Sequence, residues 1–207
     1  IIDLRQLNEQ LQSKTFQYEG IEAVCEIVQS DDVIVTLDLK NGFYHVPVRK
    51  CDQKYLGFCW NGDYYVWEVL PFGLKCSPYY FCKILKPVEQ FMRQNSLRLS
   101  LYVDDFCLLA QPCNITDHTD FMINTCKDLG LTINFEKSDL SHATCKDYIG
   151  YTIDSKGPNN EPWLYVPKVR ITRLKKDIRR CLKKQAIQAR VLAKITGQCI
   201  SMSDVLL

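Results

Sequence analysis

Apolar and polar positions alternate in short blocks along the chain, and the sharpest block lies between Leu99 and Ala110. Two adjacent acids, Asp104 and Asp105, separate two apolar runs of strand-forming residues there. This pattern predicts a β-hairpin with the acids at its tight turn. A second apolar run, Val33–Asp38, predicts a buried strand that also ends on an acid. If both belong to one antiparallel sheet, the three carboxylates can meet at its edge.

Turn signals and helical spacing of apolar residues predict the remaining elements. Asn61-Gly62 separates two aromatic-rich runs, and this dipeptide favours the tight turn of a hairpin. Gly130 closes one predicted helix, and Thr116 or Asp117 is its predicted N-cap. The predicted helices are a short one within Ile1–Asn8, then Tyr18–Val28, Pro78–Gln94, Thr116–Leu129, Pro167–Leu182 and Gln188–Met202. The further predicted strands are Lys54–Trp60, Tyr64–Val69, Tyr148–Ile153 and Trp163–Val166.

The composition is that of an ordinary globular protein, because 46% of the 207 residues are hydrophobic and 24% are charged. The sequence has no signal peptide and no apolar run near the length of a membrane span, so we expect an intracellular protein, cytoplasmic or nuclear. The eleven cysteines are scattered without a C-x-x-C pair, which favours reduced thiols over a disulfide framework. Because the chain begins with Ile1, we expect it to be cut from a longer protein.

The net charge of +2 conceals a strong asymmetry. Residues 1–165 are acidic overall, whereas residues 166–190 carry ten basic side chains and one acid. Within the basic segment, Ile171, Leu174 and Ile178 recur at helical spacing. An amphipathic basic helix of this kind can follow the phosphates of a nucleic acid. A solvated helix face or a membrane-surface helix has the same pattern, and the charge pattern alone favours the solvated face.

The acids at the predicted sheet edge carry the candidate chemistry. Ionised carboxylates beside a core cost several kcal/mol each unless a positive charge compensates them. The hairpin pattern contains no Lys or Arg, and hard divalent cations prefer carboxylate oxygens. An exposed Asp-Asp turn is the simpler alternative for the hairpin alone. Asp38 favours the metal site, because three converging carboxylates suit two cations about 3.5–4 Å apart, as in phosphoryl transfer.

Three blocks of sequence resemble the polymerase motifs of retroelement reverse transcriptases. They are Thr36–Tyr44, Leu70–Leu74 followed by Ser77-Pro78, and Tyr102–Asp105, in the order and with the spacing of that family. The style is similar to long-terminal-repeat elements, and most similar to DIRS-like retrotransposons that carry a tyrosine recombinase. The resemblance implies an RNA-directed DNA polymerase that transfers nucleotides from dNTPs to a primer 3′-hydroxyl on an RNA or DNA template.

The resemblance also implies a domain organisation. It implies a right-hand polymerase of the α+β class, with an antiparallel palm sheet backed by helices. Residues 1–13 and 46–75 would form partial fingers, residues 14–45 and 76–166 the palm with its primer-grip hairpin, and residues 167–207 the start of the thumb or connection. Basic residues that the family places upstream are absent here. We expect a fusion to ribonuclease H and other polyprotein domains outside this chain, and no membrane partner.

Site residues follow from the matching motif positions. Asp38, Asp104 and Asp105, with the Leu39 backbone carbonyl, would bind two Mg²⁺ ions, with Mn²⁺ as a substitute. Lys137 would act as a cation or general acid for the leaving pyrophosphate. The nucleotide-binding residues implied are Phe43, whose ring would exclude a ribose 2′-hydroxyl, Phe72 and Gly73. The primer or template contacts implied are Tyr102, Tyr148, Ile149, Gly150, Lys75, Lys168, Arg173 and Lys176.

Two alternatives remain open from the sequence. One is a non-catalytic nucleic-acid-binding remnant of a retroelement polymerase. The intact acids Asp38, Asp104 and Asp105 argue against such decay without excluding it. The other is a palm polymerase that copies a DNA template.

Overall fold

The computed structural model describes residues 2–12, 14–183 and 186–203. The helices are α1 (Arg5–Gln10), α2 (Ile21–Ile27), α3 (Ser77–Gln94), α4 (Ile115–Asp128), α5 (Lys168–Leu182) and α6 (Ala189–Ile200). The strands are β1 (Val33–Asp38), β2 (Gly57–Trp60), β3 (Asp63–Val66), β4 (Arg98–Tyr102), β5 (Asp105–Ala110), β6 (Asp139–Ala143), β7 (Cys145–Tyr148), β8 (Tyr151–Asp154) and β9 (Trp163–Tyr165). Short 3₁₀ turns cover Gly42–His45, Gln53–Leu56 and Pro158–Asn160.

A four-stranded antiparallel sheet in the order β4-β5-β1-β6 forms the centre of the fold. The predicted hairpin is confirmed, since β4 and β5 pair with Tyr102 opposite Asp105. The predicted strand Val33–Asp38 is confirmed as β1 and pairs with β5, which places Asp38 opposite Asp105. The antiparallel register therefore brings together acids that lie far apart in the sequence.

Both faces of this sheet are buried. Side chains on adjacent strand positions point to opposite faces. On one face, Leu37 and Phe106 belong to a core cluster that includes Phe81 of α3. On the other face, Ile34 and Leu109 belong to a second cluster, which α2 and the strands β7, β8 and β9 also supply. Burial on two sides explains why β1 and β5 are continuous apolar runs rather than alternating ones.

Two smaller sheets flank the central one. β2 and β3 form the predicted hairpin, and its turn residues Asn61 and Gly62 have φ values of 52° and 89°. β7, β8 and β9 form a three-stranded antiparallel sheet. The predicted pairing of the Tyr148–Ile153 region with Trp163–Val166 is confirmed by the β8–β9 ladder.

The uninterrupted strand predicted across Tyr148–Ile153 is wrong. The chain reverses at Ile149 and Gly150, which have φ values of 39° and 87° and form the two-residue turn between β7 and β8. A β-branched residue rarely adopts positive φ, so the local pattern favoured an extended chain at Ile149. The strand β6 was not predicted.

The predicted helices are confirmed with small shifts at their ends. Gly130 follows α4 with φ 74°, as predicted for a residue that closes a helix. The predicted N-cap is wrong, because Thr116 and Asp117 lie inside the first turn and Asn114 occupies the cap. Among the described residues, no helix combines the length and apolarity needed to cross a bilayer.

Candidate functional site

The candidate site lies where β1 ends beside the β4–β5 turn. Val103 and Asp104 form this two-residue turn, and Val103 adopts a φ of 58°. Asp105 begins β5 opposite Asp38, so the hairpin and β1 present their acids at the same edge. Positive φ at a β-branched residue costs energy, and such strain is often found at functional sites.

Backbone hydrogen bonds hold the acids in place. The Leu39 N–H donates to the Asp104 carbonyl at 3.0 Å, and the Asn134 N–H donates to the Asp38 carbonyl at 2.9 Å. The Asp38 N–H donates to Ser138 Oγ at 3.0 Å. The end of β1 is therefore clamped between the hairpin turn on one side and the segment before β6 on the other.

Two adjacent cavities contain the acids. The larger cavity, of about 570 Å³, is lined by Asp38, Asp104 and Lys137, with Leu39, Gly42 and Phe72 among its other walls. The smaller cavity, of about 160 Å³, is lined by Asp38, Asp105, Lys137, Tyr148 and Ile149 among others. Asp38 and Lys137 line both cavities, so the predicted catalytic residues are gathered around one point.

The electrostatics of the site favour a bound cation. Burial, followed by the charges of Asp104 and Asp38, raises the pKa of Asp105 to about 6, and Lys137 opposes that rise. Burial also raises the pKa of Asp104, to which the charge of Asp38 contributes. The neighbouring Lys137 therefore offsets only part of the repulsion, and the oxygen donors suit a hard divalent ion.

These carboxylates could bind a metal ion, but they do not form a complete set of ligands. Across residues 2–12, 14–183 and 186–203, no group of three or more His, Cys, Asp or Glu side chains has the geometry of a metal site. Asp105 lies opposite Asp38 in the β1–β5 ladder, close enough for the charge of Asp38 to raise its pKa. Asp38 and Asp104 face the larger cavity, which Glu136 also lines, and Asp105 lines the smaller one together with Asp38.

Gly42 is a site residue to which sequence reasoning gave no separate role. Its φ is 20°, and a Cβ at this position would lie 3.0 Å from Asp104 Oδ2. Asn41, with φ 62°, turns the chain directly before it. The absence of a side chain at Gly42 therefore makes room for the Asp104 carboxylate. The only sequence signal was the Asn-Gly pair that follows a buried strand.

The predicted nucleotide-binding residues are Phe72, which lines the larger cavity, and its neighbours Phe43 and Gly73. Phe72 is 55% exposed and lines the cavity. Phe43 packs behind it, with its ring centroid 5.0 Å from that of Phe72 and 5.4 Å from that of Phe81. Gly73 follows with a φ of 90°. Contacts of these residues with a nucleotide stay a prediction.

Asn8 anchors the loop that carries Phe72, and sequence reasoning missed this role. The Asn8 side chain donates from Nδ2 to the Gly73 carbonyl at 2.9 Å and accepts the Lys75 N–H at 2.8 Å. The Lys75 ammonium donates to the Leu11 carbonyl at 3.3 Å. A surface asparagine in a short helix gives no sequence signal for such a clamp. The template contact predicted for Lys75 is untested.

The predicted primer residues are divided between the interior and the surface. Tyr148 is only 4% exposed, and its hydroxyl donates to the Asp105 carbonyl at 3.0 Å. Tyr102 is half-buried, with its ring centroid 5.2 Å from that of Tyr18. Ile149 and Gly150 form the turn described above.

Lys168, Arg173 and Lys176 are exposed on α5. The same helix packs Ile171 and Leu174 against the second core cluster. The predicted amphipathic character of the basic helix is therefore confirmed. Contacts with nucleic acid stay a prediction.

Comparison with known proteins identifies the family. Residues 1–153 match the sequence profile of the family described as reverse transcriptase (RNA-dependent DNA polymerase). A polyprotein of Commelina yellow mottle virus is 25% identical over 158 residues, which is 74% of this chain and 8% of that protein. The retrovirus-related Pol polyprotein from transposon gypsy of Drosophila melanogaster is 25% identical over 166 residues, which is 78% of this chain and 16% of that protein.

The fold has a solved counterpart. The foamy viral protease-reverse transcriptase, solved in complex with an RNA/DNA hybrid, superposes with a TM-score of 0.74 at 19% identity. The match covers 96% of this chain and 25% of that protein. The α+β polymerase palm fold predicted from the sequence is thereby confirmed.

The fold, the clustered acids and the matching profile define a polymerase palm. The chain belongs to the reverse transcriptase family of RNA-dependent DNA polymerases. Its similarity extends to polyproteins of long-terminal-repeat retrotransposons, as the sequence style predicted. The chain spans less than a sixth of the length of the curated relatives described here.

Proposed function

We propose that this chain is the catalytic core of an RNA-directed DNA polymerase. The observation that carries the proposal is the shared cavity of Asp38, Asp104 and Lys137, with Asp105 paired to Asp38. Phosphoryl transfer depends mainly on positioning and on charge stabilisation, both of which this arrangement offers. The nucleic acid bound by the foamy viral relative supports a template-primer as substrate.

The acids have defined roles in the proposed reaction. Asp38 and Asp104, with the Leu39 carbonyl, would hold divalent ions, and Asp105 would support them through its contact with Asp38. Bound Mg²⁺ or Mn²⁺ supplies Lewis acidity and neutralises charge in reactions of this class. Lys137 faces both cavities, where its ammonium can balance the charge of a departing pyrophosphate.

We assign nucleotide selection to the aromatic rings of Phe43 and Phe72. Phe72 lines the cavity, and Phe43 packs behind it, so the two rings can form a surface beside the sugar of a bound dNTP. Gly73, in the same anchored loop, allows close approach of backbone to ligand. A ring at the position of Phe43 would disfavour a ribose 2′-hydroxyl.

The finer assignments rest on the same likeness. We assign residues 1–13 and 46–75 to partial fingers, 14–45 and 76–166 to the palm, and 167–207 to the start of the thumb. The DIRS-like placement and the fusion to ribonuclease H are proposals about the surrounding element. Sequencing the flanking DNA tests both, since a DIRS-like element encodes a tyrosine recombinase.

Primer extension tests the proposed function directly. We expect Mg²⁺-dependent extension of a primed RNA template by the wild-type chain. Asp104→Asn should lower extension by about 10²–10³-fold, because a carboxylate that would hold the charge-neutralising ions is lost. Asp120→Asn, the same change at an exposed position on α4, should leave extension unchanged.

The outcomes separate the alternatives. Near-normal extension by Asp104→Asn would refute the catalytic assignment. Template binding without extension by the wild-type chain would identify a non-catalytic remnant. A strong preference for a DNA template in competition would identify a DNA-copying palm polymerase.

A further inference from the structure

Tyr148 ends β7 directly beneath the catalytic hairpin. Its ring is 4% exposed and packs in the second core cluster. Its hydroxyl donates to the Asp105 carbonyl at 3.0 Å, with the Ser100 carbonyl as a longer acceptor at 3.4 Å. Leaving a hydroxyl unpaired in the protein interior is costly, so the Tyr148 hydroxyl is held to these acceptors. The side chain of Tyr148 thus joins β7 to both strands of the hairpin.

The β7–β8 turn next to Tyr148 is held from its other side by the basic helix. The guanidinium of Arg170 in α5 donates to the Gly150 carbonyl. A Cβ on Gly150 would lie 2.7 Å from Arg170 Nη1, so glycine permits this close approach. The turn has two residues, Ile149 and Gly150, which leaves little slack between Tyr148 and the Arg170 contact.

The turn and the acids also share a space. Tyr148 and Ile149 line the smaller cavity together with Asp38, Asp105 and Lys137. A shift of β7 relative to the hairpin would therefore change the shape of a cavity that contains two of the three acids. The hydrogen bond from Tyr148 to Asp105 opposes such a shift.

We propose that Tyr148 is a positioning residue for polymerisation. Its hydroxyl sets the position of the Asp105 backbone relative to the β7–β8 turn, and thereby sets the geometry of the acids. The proposal rests on the proposed function and replaces the direct primer contact expected for this side chain, which is buried. Misplacement of a catalytic group by about 1 Å can cost as much as 10²-fold in rate.

The test compares two single-hydroxyl deletions. Tyr148→Phe keeps the buried ring and removes only the hydroxyl, with its bond to the Asp105 carbonyl and its longer contact with the Ser100 carbonyl. We expect kcat to fall about tenfold while KM for dNTP changes less than about twofold, because positioning and not substrate binding is lost. Backbone amide exchange of residues 104–107 should become faster.

The matched control is Tyr151→Phe, in the residue that pairs with Tyr148 across the turn. The Tyr151 hydroxyl donates to the Ser201 carbonyl at 2.8 Å. We expect this variant to leave kcat and the exchange of residues 104–107 unchanged. An equal loss of kcat in Tyr148→Phe and Tyr151→Phe would show that kcat falls because the protein is less stable, and this would overturn the proposal.

The proposal would also be overturned if Tyr148→Phe had the same kcat and the same backbone amide exchange of residues 104–107 as the wild type. An inactive wild-type chain would refute the proposed function instead. The exchange measurement would then decide alone whether Tyr148 anchors Asp105.

Discussion

At the scale of single residues, three residues around the acids have positive φ values. Val103, Asn41 and Ile149 have φ values of 58°, 62° and 39°. Val103 directly precedes Asp104, and Asn41 and Ile149 line the cavities that hold Asp104 and Asp105. Such conformations cost about 1–3 kcal/mol each and persist only where surrounding contacts enforce them. The hydrogen bonds around β1 and the hairpin supply that enforcement here.

Gly42→Ala tests how closely the chain approaches Asp104. The new Cβ would lie 3.0 Å from Asp104 Oδ2 at a φ of 20°, so the carboxylate must move. We expect primer extension to fall about 10–10²-fold, since a displaced catalytic group loses its alignment. Gly197→Ala is the control, because no atom lies within 4 Å of its Cβ position. Equal activity of the two variants would contradict this role for Gly42.

The raised pKa of Asp105 predicts a pH dependence of stability without divalent ions. Because the folded pKa of about 6 exceeds the unfolded value, the folded state binds the proton more tightly. The stabilisation is present below about pH 4 and is lost as the pH rises through about 6. The free energy of unfolding in urea should fall between about pH 4 and pH 6 in the wild type. In Asp105→Asn we expect this fall to be smaller by about 1 kcal/mol, after allowance for solvent screening. The same pH dependence of unfolding in the wild type and in Asp105→Asn would contradict the raised pKa of Asp105.

At the scale of elements, β1 and β4 are joined at the end of the sheet opposite the acids. Arg98 Nη1 and Nη2 each lie 2.6 Å from a carboxylate oxygen of Asp32, which is fully buried. Gln111 Nε2 donates to the same carboxylate at 2.9 Å. The strands next to the candidate catalytic acids are thus held at one end by an ion pair and at the other by backbone hydrogen bonds.

Asp32→Asn should destabilise the whole sheet. The substitution preserves size but leaves Arg98 without its buried partner, which typically costs about 3 kcal/mol. The measurement is the free energy of unfolding in urea. Asp31→Asn is the neighbouring control, because its ion pair with Lys156 is exposed and contributes little. A midpoint unchanged in Asp32→Asn would show that the pair is not structural.

At the scale of the whole molecule, acidic and basic functions are separated. The acids lie at the edge of the central sheet, whereas Lys168, Arg173 and Lys176 are exposed on α5. Arg170 of the same helix contacts the Gly150 carbonyl at the β7–β8 turn. A nucleic acid that follows the basic helix would therefore lie close to an element that is hydrogen-bonded to the hairpin.

Replacing Lys168, Arg173 and Lys176 with alanine should weaken template-primer binding and flatten its salt dependence. If each contacts one phosphate, the slope of log Kobs against log salt falls by about 2–3. Titrations at several salt concentrations measure this slope. Lys127→Ala, at an exposed position on α4, is the control. An unchanged slope in the triple variant would exclude phosphate contacts by this face of α5.

The central strands and their acids were predictable from local pattern. Val33–Asp38 and the hairpin around Asp104 have short apolar runs bounded by turn signals, which favour buried strands, and antiparallel pairing then brings Asp38 close to Asp105. The Asn61-Gly62 turn and the basic amphipathic helix were predictable for the same reason. Each depends on residues that are neighbours in the sequence.

The sequence by itself determined the central strands, the hairpin turns at Asn61-Gly62 and Asp104, and the main helices, because spacing and turn chemistry act over a few residues. Only the tertiary structure decided that Asn8 clamps the Phe72 loop, that Gly42 makes room for Asp104, and that the Tyr148 hydroxyl meets Asp105. These contacts join residues up to 67 positions apart. Their distances depend on how whole elements pack, which no local pattern encodes.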